Sequence, residues 1–217
     1  MDKKAVIFDL DGTLLNTLED LTASTNFALE NLGFPKRSMD EIRNFVGNGV
    51  NKLIERAIPN GLNNPEYIKC VELFKNTYKQ NMYCKTKPYK GIIEMLTQLK
   101  QHNIKIAVVS NKFDMAVKKL CSKYFPNLID FAAGENELQG INKKPAPDTV
   151  LKVLKEFNIE AGDAIYVGDS EVDIQTAQNA NMDCISVTWG FKDEKFLISN
   201  GANIIVNAPN QILNAIL

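Results

Sequence analysis

The 217-residue chain has a single histidine, His102, set in the polar stretch Lys100-Gln101-His102-Asn103. Ser-His-Asp or Cys-His catalysis and histidine-rich metal sites would all rest on that residue, whose setting reads as a turn. Chemistry in this chain is therefore expected from carboxylates, lysine, hydroxyls and a metal. The four cysteines, Cys70, Cys84, Cys121 and Cys184, are scattered without a CxxC pair. No zinc site or redox dithiol is written there, and free thiols fit a reducing cytosol, so a cytoplasmic location is expected. Charge of one sign is also lacking: 25 Lys+Arg against 26 Asp+Glu leaves −1. Neither nucleic acid nor an anionic membrane is an expected partner, and a monomer or homodimer is. No run approaches the ~20 apolar residues of a membrane-spanning helix. Asp9 and Asp11 interrupt the first apolar run, which argues against a signal peptide. Internal repeats and low-complexity segments are absent.

What is present is ordinary globular composition, 45% hydrophobic and 24% charged, enough for one large domain or a domain with a smaller insert. Short apolar runs at Lys4–Asp9, Lys105–Val109, Ala164–Val167, Asp183–Val187 and Asn203–Val206 read as strands buried on both faces. Helical patterning lies at Ile92–Gln101, Lys112–Lys123, Pro147–Phe157, Ser170–Asn179 and Asn207–Ile216. The alternation predicts an α/β, doubly wound parallel sheet. It fails after the first strand, where Thr17 to about Tyr83 is helical throughout. That stretch reads as an inserted helical domain, residues 16–83, in a core of 1–15 and 84–217. Pro147 suits the first turn of its helix, and Asn181 can adopt the left-handed conformation that ends one.

Ligands of such sheets bind outside the carboxyl ends of the strands. Those positions hold Asp9-Leu10-Asp11-Gly12-Thr13, Ser110-Asn111-Lys112, Lys143-Lys144-Pro145 and Gly168-Asp169-Ser170-Glu171-Val172-Asp173. Carboxylates crowded at one edge repel unless a cation sits among them. A hard, oxygen-seeking ion such as Mg²⁺ suits them, and with a lysine and backbone N–H groups nearby the cavity suits a phosphoryl group.

In these motifs the sequence resembles the haloacid dehalogenase-like hydrolase superfamily. The matches are Asp9-x-Asp11-Gly12-Thr13, Ser110-Asn111 after a strand, Lys144-Pro145-x-Pro147 and Gly168-Asp169-Ser170-x-x-Asp173, in the family's order across the chain. The insert sits where the family places its C1 cap. Phe45-Val46-Gly47-Asn48-Gly49, Pro88-Tyr89-Lys90-Gly91 and Val187-Thr188-Trp189-Gly190-Phe191 are most similar to the phosphoglycolate phosphatase branch. Asn16-Thr17 stands where relatives commonly carry Asp-Ser, and Asn181 where glycine is common.

The resemblance implies a Mg²⁺-dependent phosphatase of a small phosphorylated metabolite, with phosphoglycolate the best single expectation. Asp9 would be the nucleophile that forms an aspartyl-phosphate, and Asp11 the general acid and then base. Mg²⁺ would be held by Asp9, the backbone carbonyl of Asp11 and Asp169, with Asp173 close by or acting through water. Ser110, Lys144 and N–H groups around Asn111 would receive the phosphoryl oxygens. Gly12 would turn the chain and Thr13 brace the loop. Gly47, Asn48 and Gly49 would read the substrate. An arginine near them could hold a substrate carboxylate, although Arg37, Arg43 and Arg56 read more simply as surface charges. A hexose-phosphate mutase or pyrophosphatase would use the same core, and a receiver-type signalling module shares the phosphorylatable Asp. A dehalogenase does not need the second carboxylate, Asp11.

Overall fold

The computed structural model describes residues 3–135 and 140–216. The chain divides into two compact units, Met1–Leu15 with Pro88–Leu217 and Asn16–Lys87. The strands are β1 (Ala5–Phe8), β2 (Leu15–Asn16), β3 (Lys87–Pro88), β4 (Lys105–Phe113), β5 (Phe131–Glu135), β6 (Ala164–Gly168), β7 (Asp183–Val187) and β8 (Ile204–Val206). The helices are α1 (Leu18–Asn31), α2 (Met39–Phe45), α3 (Val50–Ala57), α4 (Tyr67–Asn81), α5 (Ile92–Gln101), α6 (Asp114–Tyr124), α7 (Asp148–Phe157), α8 (Glu171–Asn179), α9 (Glu194–Ser199) and α10 (Pro209–Ile216).

In the first unit six strands form one sheet, ordered β5-β4-β1-β6-β7-β8, with every neighbouring pair parallel. β1 lies inside it because Ala5, Val6, Ile7 and Phe8 offer apolar atoms on both sides, and all four are fully buried. The register sets Ile7 opposite Ala107 and Tyr166. Strand alternation then turns Ala5, Ile7, Ala107, Val109, Ala164 and Tyr166 toward Val150, Val153 and Leu154 of α7 and Ala177 of α8. Val6, Phe8, Ile106 and Val108 alternate with these and are equally buried, so both faces of the sheet are covered.

Four of these elements went unread in the sequence: the two-residue strands β2 and β3, together with β5 and α9. β5 (FAAGE) is half-buried and built of small residues, which give no apolar run. α9 is six residues long, started by Asp193, whose side chain accepts the Phe196 N–H at 2.8 Å. One boundary matters for function: β4 continues to Phe113 and α6 starts at Asp114, so Lys112 is a strand residue. Pro147 is the N-cap of α7, one residue before its first turn. Asn181 does take a left-handed φ of 55°. The Met182 and Asn181 N–H groups close on Ala177 and Gln178 as the end of α8 requires.

The second unit is helical, α1 to α4. Inside it Phe74 and Tyr78 stack with ring centroids 5.5 Å apart, and Leu29, Ile42 and Ile54 of the same unit are also fully buried. Its C-terminal limit is Lys87, beyond the expected residue 83. The reason is Asp20 of α1, only 2% exposed. Its carboxylate accepts from the Lys85 N–H at 3.0 Å and from the Thr86 N–H and hydroxyl at 2.9 and 2.8 Å. Residues 85 and 86 are thereby tied to the insert. The two connecting segments, β2 and β3, pair as a two-stranded ribbon.

Gly47 (φ 123°) and Gly49 (φ 84°) occupy backbone conformations that favour glycine, and Gly49 is the N-cap of α3. The arginines have partners inside the insert. Arg37 Nε donates to the Ala57 carbonyl at 2.7 Å, Arg56 Nη1 donates to the Phe45 carbonyl at 2.8 Å, and Arg43 pairs with Asp40 at 3.0 Å.

Candidate active site

The site is built where β1, β4 and β6 end. Asp9 follows the last residue of β1, 7% exposed, and its N–H still donates to Val167 of β6 at 2.9 Å. The chain then reverses: Gly12 takes φ 92°, its N–H donates to the Leu15 carbonyl at 2.9 Å, and the Leu14 and Leu15 N–H groups return to Leu10. β6 ends at Gly168, so Asp169 enters beside Asp9. Asp173 is the third residue of α8, in its first turn. There it closes the helix start, accepting the Ser170 N–H at 3.1 Å and hydroxyl at 2.7 Å. Asp9, Asp169 and Asp173 bring carboxylate oxygens within 4.8 Å of one another.

Close approach is purchased nowhere by chance here: glycine makes it sterically possible. A Cβ at Gly12 or Gly190 would collide with the Asp169 carboxylate, and one at Gly168 with the Asp173 carboxyl carbon. Asp169 is held from two sides. Thr13 Oγ1 donates to it at 3.1 Å and the Phe191 N–H at 2.7 Å. The Trp189 indole N–H in turn holds the Thr13 carbonyl at 3.0 Å, which locks the 189–191 segment against the loop after β1.

Lys144 sits among the acids with its ammonium 2.7 Å from Asp9, 2.7 Å from Asp173 and 3.0 Å from the Tyr166 hydroxyl. It is 5% exposed, whereas Lys143 is only half-buried. Burial raises the Asp9 carboxyl to about 7; Lys144 pulls it down and the neighbouring Asp173 and Asp11 push it up. Burial also holds Asp169 well above the usual carboxylate range, with Asp173 and Asp9 adding to the rise. Lys144 is raised well above the ordinary lysine value, because Asp173, Asp9 and Tyr166 outweigh its desolvation.

Ser110, Asn111 and Lys112 continue β4 past its last regular pair, and all three are buried. Ser110 Oγ accepts the Lys112 N–H at 3.3 Å. The Asn111 amide donates to the Lys144 carbonyl at 3.0 Å, so that side chain tethers the lysine loop. The Asp11 carboxylate is not one of the three clustered acids; it meets the Lys112 ammonium at 2.9 and 3.0 Å. His102 is exposed at the C-cap of α5, and among the described residues it is not part of the acid cluster. Gly47, Asn48 and Gly49 belong to the insert.

Three participants escaped sequence reasoning. Tyr166 sits in an apolar run and reads as core. Phe191 acts through its backbone N–H, which no side-chain pattern reveals. Lys112 stood in the right motif but had no partner assigned to it.

Residues 6–187 match the family model of the haloacid dehalogenase-like hydrolases. The chain is 33% identical over 220 residues to a phosphoglycolate phosphatase of Aquifex aeolicus, covering 97% of this chain and 99% of the relative. It is 35% identical over 199 residues to a phosphoglycolate phosphatase of Psychrobacter arcticus, covering 88% and 86%. A crystal structure from Lactobacillus delbrueckii subsp. bulgaricus superposes with a TM-score of 0.94 at 38% identity, covering 100% of this chain and 99% of that one. The chain belongs to the haloacid dehalogenase-like hydrolase family.

Proposed function

We propose that the protein is a Mg²⁺-dependent phosphomonoesterase acting on a small phosphorylated acid, with phosphoglycolate as substrate. The observation that carries this reading is the convergence of Asp9, Asp169 and Asp173 within 4.8 Å, beside a lysine that bonds two of them. The phosphoglycolate phosphatase relatives covering nearly all of the chain support the substrate.

The donor set fits the ion: the clustered donors are buried carboxylate oxygens with no nitrogen or sulfur among them, and Asp9 and Asp169 are raised first by burial and then by neighbouring acids, a cost that positive charge would relieve. Asp9, Asp169 and the Asp11 backbone carbonyl would hold Mg²⁺ directly. Asp173 already uses one oxygen on Ser170 and the other on Lys144, which suits it to a supporting place. When bound, the cation supplies charge neutralisation at the phosphoryl oxygens.

The remaining chemistry is the chain's own. An Asp9 carboxylate oxygen attacks phosphorus, and the bond from phosphorus to the leaving oxygen breaks while Asp11 gives that oxygen its proton. The aspartyl-phosphate is then opened by water, which yields a proton to Asp11 as phosphate departs and Asp9 is restored. Lys144, Ser110 and the N–H groups near Asn111 stabilise the charge on the transferring phosphoryl oxygens. A glutamine or asparagine at position 9 could not perform the attack. A cytoplasmic location belongs to the same proposal, supported by four free cysteines; no described helix is long and apolar enough to cross a membrane.

A panel of phosphoglycolate, sugar phosphates, nucleotides and pyrophosphate with Mg²⁺ tests the reading. Phosphoglycolate should give the highest kcat/KM. Preference for pyrophosphate, or interconversion of a sugar phosphate without phosphate release, would replace it with another reaction.

A further inference from the structure

Two buried lysines pair with three of the four acids of this site. Lys144 serves Asp9 and Asp173, while Lys112 serves Asp11, donating to both carboxylate oxygens at 2.9 and 3.0 Å. The Lys112 and Asp11 side chains are 4% and 11% exposed. An ammonium so buried is strongly disfavoured by desolvation unless it is closely paired, so this contact is not a surface accident.

The backbone under Lys112 is fixed with equal care. The register between β4 and β5 shifts between Val109 and Phe113, which places Lys112 in the irregular segment. Its N–H donates to Ser110 Oγ. The neighbouring strand can come alongside because residue 134 is glycine: a Cβ there would strike the Lys112 carbonyl oxygen and come within 2.6 Å of the Asp114 backbone. The ammonium is therefore delivered to Asp11 from a rigid base, and Asp11 is the acid whose orientation matters most for proton transfer.

Resting on the phosphatase reading above, we propose that Lys112 is a positioning residue that sets the direction from which Asp11 delivers its proton to the leaving oxygen. The consequence is selective. An alkyl phosphate needs that proton as its phosphorus–oxygen bond breaks, because an alkoxide is a poor leaving group. An aryl phosphate such as p-nitrophenyl phosphate departs as a stable phenolate and needs it far less. The ratio kcat/KM reports the steps through release of the leaving group, so the later water step does not blur the comparison.

The test compares Lys112→Met, Asp11→Asn, the double variant and Lys112→Arg in the Mg²⁺-loaded chain. Each is assayed for kcat/KM on the best alkyl phosphate of the panel and on p-nitrophenyl phosphate, with thermal unfolding followed alongside. Lys112→Met should lose at least about tenfold more on the alkyl ester than on the aryl ester, a share of the ~10²–10⁴ that general acid catalysis contributes. On the alkyl ester the double variant should lose no more than Asp11→Asn alone, because both changes remove one function. Lys112→Arg should recover part of the discrimination. The double variant leaves no buried carboxylate unpaired, so it keeps the test readable if Lys112→Met unfolds. Equal losses on both esters, or additive losses in the double variant, overturn the proposal while a split in Asp11→Asn preserves the phosphatase reading. Absence of a split in Asp11→Asn itself removes the acid role of Asp11, and the proposal with it.

Discussion

Replacing Gly190 by alanine asks whether close packing around Asp169 sets the site's affinity for the proposed Mg²⁺. Gly190 is not among the positive-φ residues, so its backbone accepts an alanine and any penalty is steric. The added Cβ would run into the Asp169 Cβ and Oδ2 and would lie 2.5 Å from the Gly12 carbonyl oxygen, where ordinary contact is 3.4–4 Å. Relief requires a movement of roughly 1 Å, and the Asp169 Cβ cannot supply it by rotating its own side chain. The carboxylate is also pinned by the Phe191 N–H at 2.7 Å and Thr13 at 3.1 Å. Overpacking of this kind costs about 1–3 kcal/mol. Displacing a ligand's supporting shell typically costs ~10–100-fold in metal affinity. The assay is a Mg²⁺ titration of phosphatase activity together with calorimetric unfolding of the metal-free protein. The half-saturating Mg²⁺ concentration should rise at least about tenfold, and Tm should fall by ~2–4 °C per kcal/mol. Gly162→Ala, where a Cβ meets nothing within 4 Å, is the control and should change neither. Wild-type Mg²⁺ dependence and Tm in Gly190→Ala would refute the packing argument.

Asp9→Asn should fold, as judged by circular dichroism, and lose turnover by at least ~10⁴-fold, because an amide cannot attack phosphorus; retained turnover in pure protein would assign the nucleophile elsewhere. Exhaustive chelation should abolish hydrolysis of an aryl phosphate and Mg²⁺ should restore it, and full activity after chelation would contradict a metal role. Asp9 is raised to about 7 in the metal-free protein, so it holds its proton more tightly folded than unfolded. Its contribution to metal-free stability is therefore present at about pH 4 and lost as pH rises to 7, while Mg²⁺ binding below pH 7 should release protons and tighten with rising pH. Titration calorimetry in buffers of different ionisation enthalpy checks this, and a pH-independent affinity between 5 and 7 would contradict it. Gly47→Val places a β-branched side chain at φ 123°; it should lower kcat/KM for the preferred substrate more than for p-nitrophenyl phosphate, and equal losses would show that the 47–49 loop does not read substrate.

The sequence was most legible where chemistry and sterics act on neighbours in the chain. β1 could be read because four consecutive apolar residues leave only a doubly covered strand, and Asp9 because an acid ending such a strand needs a reason. Pro145 singled out Lys144 over Lys143, and the exposures of the two agree. What stayed hidden depends on pairing across the fold. Tyr166 is an ordinary core residue until Lys144, 22 positions away, places an ammonium at its hydroxyl. Lys112 acquires meaning only from Asp11, 101 positions away. The limit of the insert moved to Lys87 because Asp20 reaches 65 and 66 positions along the chain to Lys85 and Thr86, a connection that composition does not announce.

The placement of β1 between β4 and β6 has a consequence for biosynthesis. Ala5 pairs with Lys105 on one side and Ala164 on the other, so this fully buried strand leaves the ribosome long before either neighbour exists. At ~5–20 residues per second it waits several seconds for its first partner and longer for its second. During that interval the nascent chain carries an unpaired strand with two apolar faces, a hazard for misassembly. Asp9 and Asp11 close that strand with two acidic residues, the placement expected of gatekeepers against aggregation, so the residues proposed for the chemistry would serve the chain before it has a site.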